Sequence, residues 1–408
     1  MKAIVGARLI DGTGGPPISN STIIINNDKI ESVWHTDQIE IPAIAERVYA
    51  PGMTLLPGLI DCHDHLAHFG HDLASRWGLN EPQSLRHGRI YSVLKETLFT
   101  GFTTVRDAAG LDAGFKHAIE SGVMPGPRLQ VALNFITPTG GQSDRTSPSG
   151  HPPSLIPQFD IPTGIADGPV AMRAKVREMV RAGADVIKTA VTGWGRPTKG
   201  LGPKDTIMRR DELEALVDEA HIMDRKVMCH VIGGQGLRLA VEVGVDSIEH
   251  GSYLNEDRDL FLMMADKGIY FIPTFSVFTH HAAKGTHHEK VQAIDMQDHH
   301  IESLRLALKE GVKVVVGSDA GAWIHGNNAH ELSCLVNSGM APMDAISAST
   351  GLAAECLGLG KIVGTIEAGK QADLILVDKD PIKDITSLEK GRSIRMVMKD
   401  GEVYLHRK

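Results

Sequence analysis

The sequence predicts an α/β fold: a (β/α)8 TIM-type barrel over residues 55–359, with a small β-sandwich domain built from residues 1–54 and 360–408. Three observations predict it. The middle of the chain alternates short apolar runs with longer helical stretches, the mark of parallel βαβ units. Eight such runs can be counted, and eight parallel strands with crossover helices close most naturally into a barrel. Both chain ends carry short alternating strands instead, and neither end has enough of them to close a core alone. A doubly wound open sheet usually shows a Gly-rich dinucleotide turn after its first strand, and none follows here.

At the N-terminal end, "KAIVGARLI", "STIIINNDKIESVW" and "ERVYAPG" read as strands separated by turn residues. The C-terminal end matches them with "GTIEAGKQADLILVD" and "IRMVMKDGEVYL", the latter folding back at Asp400-Gly401. The eight barrel strands are expected at Leu56–Asp61, Thr103–Asp107, Leu129–Leu133, Val186–Thr189, Lys226–His230, Ser247–His250, Tyr270–Thr274 and Lys313–Gly317. Helices are expected over about 84–98, 168–182, 210–224, 235–243 and 295–310. Several stop at a glycine suited to a C-cap: Gly183, Gly244 and Gly311.

Composition narrows the function classes. The 408 residues are 42% hydrophobic and 23% charged, ordinary for a globular chain. A formal net charge of -8 argues against nucleic acid or an anionic membrane as the main partner. No stretch approaches the roughly 20 apolar residues of a membrane span. The N-terminus lacks a signal-peptide core, and the four scattered cysteines form no C-x-x-C, so a cytoplasmic setting is expected. Twenty histidines keep metal chemistry in view.

In a barrel of this kind, function gathers at the C-terminal ends of the strands. The segment "PGLIDCHDHL" ends strand one with His63 and His65, which share one face because they are two residues apart. Strand four carries Lys188, strand five ends in His230, strand six in His250 and strand eight in Asp319. Any one of these could be a solvated or capping residue. All of them together, in chain order around one barrel, suit a divalent ion such as Zn²⁺. A lysine buried beside cations should lose its proton. The neutral amine can then take up CO₂ as a carbamate, whose two oxygens can bridge two ions. Cys62 and Cys229 neighbour candidate ligands but face away from them, and read as buried packing residues.

This set, His63-x-His65, Lys188, His230, His250 and Asp319, resembles the amidohydrolase superfamily, in the branch with a carboxylated lysine and a binuclear metal centre. "GFTTVRDAAG", "GADVIKTAVTG", "GVDSIEHGSY" and "GSDAGAWIHGNNAHEL" are similar to the Xaa-Pro dipeptidase-like (prolidase-like) group. The resemblance implies that His63, His65 and Asp319 hold one ion and His230 and His250 the other, with N6-carboxylated Lys188 between them. It implies hydrolysis of an amide C–N bond, in a dipeptide or N-acyl amino acid, by a metal-bridging hydroxide. Asp319 would take the proton from that water and pass it to the leaving nitrogen. It also implies a small-molecule substrate and a homo-oligomer.

The chain departs from the group at two positions. Ile232 stands two beyond the strand-five histidine, where Tyr or His commonly meets the substrate carboxylate, and Gln142 stands in "TGGQ" where His is often found. Either Arg196 in "GWGRPTKG" supplies the missing charge, or the substrate is a neutral amide, carbamate or urea-like compound. His325 and Asn328 fit the group's "HG-x-N" pattern and are expected to contact substrate, with Tyr253 a further pocket residue. The histidine run in "FTHHAAKGTHHEK" is expected to be a solvated loop. Deamination on the same fold is the other reaction class weighed; it normally needs a Glu where this chain has Gly233.

Overall fold

The computed structural model describes residues 1–69, 81–144, 146, 150, 161–194 and 202–407. The N-terminal strands are β1 (Lys2–Leu9), β2 (Ile18–Asn26), β3 (Lys29–His35), β4 (Glu46–Tyr49) and β5 (Thr54–Pro57). The chain then lays down two parallel sheets. The first joins β6 (Leu59–Asp64), β7 (Phe102–Asp107) and β8 (Arg128–Val131). The second joins β9 (Phe135–Ile136), β10 (Ile187–Ala190), β11 (Val227–Val231), β12 (Ser247–His250) and β13 (Tyr270–Ile272). The chain returns through β14 (Leu374–Val377), β15 (Ile394–Lys399) and β16 (Glu402–His406).

Both chain ends share one sheet, in the order β16-β15-β14-β5-β1-β2-β3, with β4 also paired to β1. It is a single sheet curled on itself, in place of two separately bonded ones: Ile30 N donates to Lys370 O at 2.9 Å and Ala372 N to Asp28 O at 2.8 Å. The curl lets Ile4, Leu9, Ile23 and Ile25 pack with Leu374, Leu376, Met396 and Met398 in one apolar cluster. Arg128, at the start of β8, ties this sheet to the parallel ones by ion pairs to Asp373 at 3.2 Å and Asp400 at 2.6 Å.

The helices that cover the parallel sheets include α1 (Gln83–Phe99), α2 (Ala113–Glu120), α3 (Gly168–Arg181), α4 (Arg210–Ile222), α5 (Gly234–Val243) and α6 (Asp259–Lys267). After them come α7 (Phe275–Lys284), α8 (His287–Lys309), α9 (His330–Asn337), α10 (Pro342–Ala348) and α11 (Gly351–Cys356). In α3 the buried residues Met172, Val176 and Met179 recur at helical spacing, Pro169 opens the first turn, and Gly183 beyond the last turn adopts φ 101°. Each large apolar side chain so buried contributes about 1.5–3 kcal/mol.

Two expectations change here. The run 313–317 forms no regular strand; it is an extended segment clasped between the two parallel sheets. Phe271 N donates to Lys313 O at 2.9 Å on one side, and Cys62 N to Val316 O at 2.9 Å on the other. Gly317 makes the approach possible, since a Cβ there would lie 2.7 Å from that of His63. The histidine run is helical, in α7 and α8, and His281 is buried. A capping box explains the start of α8: Thr286 Oγ1 accepts from Glu289 N, and Thr286 N donates to Glu289 Oε2 at 2.7 Å. Among the described residues no helix is long and apolar enough to cross a membrane.

Candidate metal centre

The strand ends bring the predicted ligands together. His63 and His65 leave β6 buried, and the extended segment 313–320 carries Asp319 to them. Asp319 Oδ1 lies 3.7 Å from His63 Nε2 and 3.4 Å from His65 Nε2. These three residues offer donor atoms all within 4.8 Å of one another, and could hold a metal ion. The His250 ring centroid is 5.1 Å from that of His63 and 4.5 Å from that of His230. His250 and Asp319 both take left-handed backbone conformations, at φ 76° and 50°. Such strain persists where surrounding contacts dictate it, and it gathers at functional sites.

Each imidazole is held through one nitrogen and presents the other. His63 Nδ1 is 2.6 Å from Glu249 Oε2, and His65 Nδ1 is 3.1 Å from Ala109 O. Both partners are acceptors, so Nδ1 carries the proton and Nε2 the lone pair. The Thr274 hydroxyl donates to Pro273 O at 2.6 Å, leaving its oxygen to accept from His250 Nδ1 at 2.7 Å. His230 bonds the Gly193 backbone, and its Nε2 is buried without a hydrogen-bond partner. Burial, reinforced by the Lys188 charge, lowers His63 to about 4; burial also holds His230 and His250 well below the usual imidazole value. Neutral imidazoles with a fixed tautomer are what a metal ion requires.

Lys188 completes the cluster. Its Nζ is buried with no hydrogen-bond partner and sits 5.4 Å from the centroid of the Phe135 ring. Burial outweighs the opposing pull of Glu249 and Asp319 and lowers the ammonium to about 8. An orphaned amine near His63, His230, His250 and Asp319 fits a centre that adds a further anionic ligand at this nitrogen.

The sequence analysis missed the groups that brace these ligands. Arg106 and Glu249 form a fully buried ion pair at 3.1 Å behind His63. Beneath β6, Asn328 Nδ2 donates to Asp61 Oδ2 at 2.8 Å and to Asp64 Oδ2 at 2.7 Å, while Ser318 Oγ donates to Asp61 at 2.6 Å. Burial raises Asp61 and Asp64 to about 7, and Asp107 to about 8. The alternation of β6 gave one signal for Asp61, which lies on the His63 face. The partners from distant strands and loops left none.

The expected substrate contacts divide. Asn328 is fully buried; its amide nitrogen is committed to Asp61, Asp64 and Ser318, while its Oδ1 has no hydrogen-bond partner among the described residues. His325 spends Nε2 on His68 O at 2.8 Å. Gln142 lies beside Thr192, its Nε2 3.4 Å from the backbone oxygen. Tyr253 is partly buried, with Lys204 Nζ 3.9 Å from its ring centroid. Ile232 is buried in an apolar cluster with Val277, Phe278 and Trp323, against which Trp194 packs. The Trp194 ring is 5.9 Å from His230 and 5.8 Å from His250, so this apolar wall adjoins the histidines directly. Arg196 lies outside the described residues.

Parallel strands that end in clustered histidines, with Asp319 brought to them by the segment between the two sheets, define an α/β protein with a candidate metal centre. The chain belongs to the amidohydrolase family, whose model matches residues 54–404. Membership of that family makes the chain a hydrolase. It is 29% identical to an ochratoxinase of Aspergillus niger over 425 aligned positions, covering 98% of this chain and 86% of that one. The crystal structure of a Xaa-Pro dipeptidase with bound methionine superposes with a TM-score of 0.89 at 29% identity, covering 99% of each chain. That of the Aspergillus niger ochratoxinase gives 0.87 at 26% identity, covering 99% of this chain and 95% of the other.

Proposed function

We propose that this protein hydrolyses an amide C–N bond with two divalent metal ions, Zn²⁺ foremost. His63, His65 and Asp319 would hold one ion and His230 and His250 the other, with Lys188 as the N6-carboxylated bridge. The observation that carries this reading is the buried, unpartnered Lys188 Nζ among imidazoles whose outward nitrogens are already fixed by other bonds. The hydrogen bonds from segment 313–320 to both parallel sheets, and from Asp185 N to Val131 O at 2.9 Å, support a closed eight-stranded barrel. Four buried, unpaired cysteines support a cytoplasmic setting.

When bound, the metal ions supply an activated water and polarise the scissile carbonyl. The chain's own residues do the rest. Asp319 accepts the proton of the attacking water and returns it to the departing nitrogen, a base turned acid. Burial keeps His63, His230 and His250 neutral, while Glu249, the backbone acceptors and Thr274 orient the rings. The wall of Trp194, Phe278 and Ile232 seats the group beside the scissile bond and excludes water.

Similarity to a Xaa-Pro dipeptidase and an ochratoxinase favours a dipeptide or N-acyl amino acid as substrate. The buried Ile232 favours a second reading, a neutral amide, carbamate or urea-like compound, because a carboxylate finds no partner there. Deamination has less support. A Cβ on Gly233 would lie 2.7 Å from that of Tyr253, so no Glu fits at that position without displacing Tyr253.

Metal analysis of protein purified without chelator should give about two ions per chain. A panel of dipeptides, N-acyl amino acids and uncharged aryl amides then separates the substrate readings. Hydrolysis of uncharged amides alone retires the dipeptide. One tightly held ion with Lys188→Ala fully active overturns the binuclear reading.

A further inference from the structure

Glu249 and His250 are consecutive on β12, yet both reach His63. A regular strand would turn them to opposite faces. The φ of 76° at His250 breaks that alternation. Glu249 Oε2 meets His63 Nδ1 at 2.6 Å, while the His250 ring lies 5.1 Å from the His63 ring. On its other side Glu249 Oε1 accepts from Arg106 at 3.1 Å and from the Ser247 hydroxyl. Arg106 Nε in turn donates to Cys62 O at 2.7 Å, the carbonyl just before His63. All of these groups are buried.

An isolated buried carboxylate and an isolated buried guanidinium would each cost several kcal/mol. Here they neutralise each other, and the carboxylate keeps one oxygen aimed at a ring nitrogen. Ser247 and Arg106 are donors only toward Glu249, so that carboxylate can act only as an acceptor toward His63. The proton on His63 is therefore fixed at Nδ1, and Nε2 faces Asp319 as a lone pair.

We propose that Arg106 and Glu249 are a positioning pair for His63: Glu249 fixes its tautomer and ring angle, and Arg106 holds Glu249 in place, so that the pair sets how tightly the His63 site takes a metal ion. This rests on the metal-dependent reading above. Outer partners of ligating histidines typically change metal affinity by 10–100-fold. The role belongs to the acceptor oxygen on Glu249, not to the charge pair as filler.

Two double variants test that distinction. Arg106→Met with Glu249→Gln removes both charges but keeps an oxygen for His63 Nδ1. Arg106→Met with Glu249→Leu removes the charges and the oxygen. Both share every cost of losing Arg106, and thermal unfolding of the metal-free proteins checks that each is folded. Metal-free protein is titrated with Co²⁺ against a competing chelator, and the visible spectrum is recorded. The Gln double variant should bind within a few-fold of wild type with a similar spectrum. The Leu double variant should lose 10–100-fold at one site and show an altered spectrum. Equal binding by the two variants overturns the positioning role while wild-type binding leaves the metal reading intact. A wild-type chain that takes up no Co²⁺ overturns the metal reading and this proposal with it.

Discussion

The Lys188 ammonium faces the Phe135 ring at 5.4 Å and has no hydrogen-bond partner. A group so placed destabilises the metal-free chain, because burial disfavours its charge and no acceptor repays the loss. Lys188→Met keeps the shape and removes the charge. The metal-free variant should unfold at higher denaturant than wild type, by on the order of 1–3 kcal/mol. The same variant should bind fewer ions per chain and lose amide hydrolysis. A variant that is destabilised in the metal-free state, or that keeps a full complement of metal, would contradict the assignment.

Asn328 predicts the opposite sign. Its amide nitrogen is shared by Asp61, Asp64 and Ser318 beneath the strand that carries His63 and His65. Asn328→Ala leaves two buried carboxyls short of a donor, at a cost of about 1–3 kcal/mol. The metal-free protein should therefore lose stability, measurable by chemical denaturation. Asn328→Asp should be worse than Asn328→Ala, because it adds a third carboxyl to the pair. Unchanged stability in both would show that the amide is dispensable.

These two residues mark the limit of what the sequence disclosed. Lys188 was legible because strand periodicity placed it at a strand position in line with the histidine-bearing strand ends. The clustering of His63, His65, His230 and His250 was legible because each closes a short apolar strand, and that of Asp319 because it follows the valine run at 314–316. Asn328 matched a pattern too, but its partners Asp61 and Asp64 are more than 260 positions away, and only the fold shows that they take up its amide nitrogen. Glu249 was hidden by strand alternation, which is broken at His250 by a backbone conformation that no local residue signals. The run 313–317 read as a strand from its valines. Gly317 and the close approach of His63 make it an irregular clasp instead. The α7–α8 histidines read as a loop because the polar stretch around Gly285 spans the junction of two helices, and the buried residues of α7 lie mostly in its first turn, Phe275 to Phe278.

Glu331 gives a pH dependence that is separate from the metal centre. Its carboxyl is buried at the start of α7, where Oε1 accepts from Phe275 N at 2.8 Å and Oε2 from Ser276 N at 2.7 Å. Burial nevertheless raises it from 4.5 to about 8. Between those two values the folded chain binds a proton that the unfolded chain has released. Stability from this group is therefore present below about pH 4.5 and declines as pH rises toward 8. Glu331→Gln should flatten the fall of metal-free stability between pH 5 and 8, by at most about 1.4 kcal/mol per pH unit. Denaturant titrations across that range check it; a slope identical to wild type would show that Glu331 is ionised throughout.

Trp194 should decide which amides the enzyme prefers. Its ring touches both His230 and His250 and packs on Phe278 at 5.4 Å, while Gln292 Nε2 holds its backbone oxygen at 2.7 Å. A group bound against this wall is desolvated next to the reacting bond. Losing a matched apolar contact in such a pocket is worth about 1–3 kcal/mol, or 10–200-fold in kcat/KM. Trp194→Ala should therefore lower kcat/KM by that factor for amides with a large apolar or aryl group, mostly through KM. Substrates with a glycine-sized group should change little. Trp194→Phe should recover most of the loss, since it restores a flat apolar face without the indole N–H. If instead all substrates fall equally through kcat, Trp194 holds the histidines rather than the substrate, and the apolar wall does not set specificity.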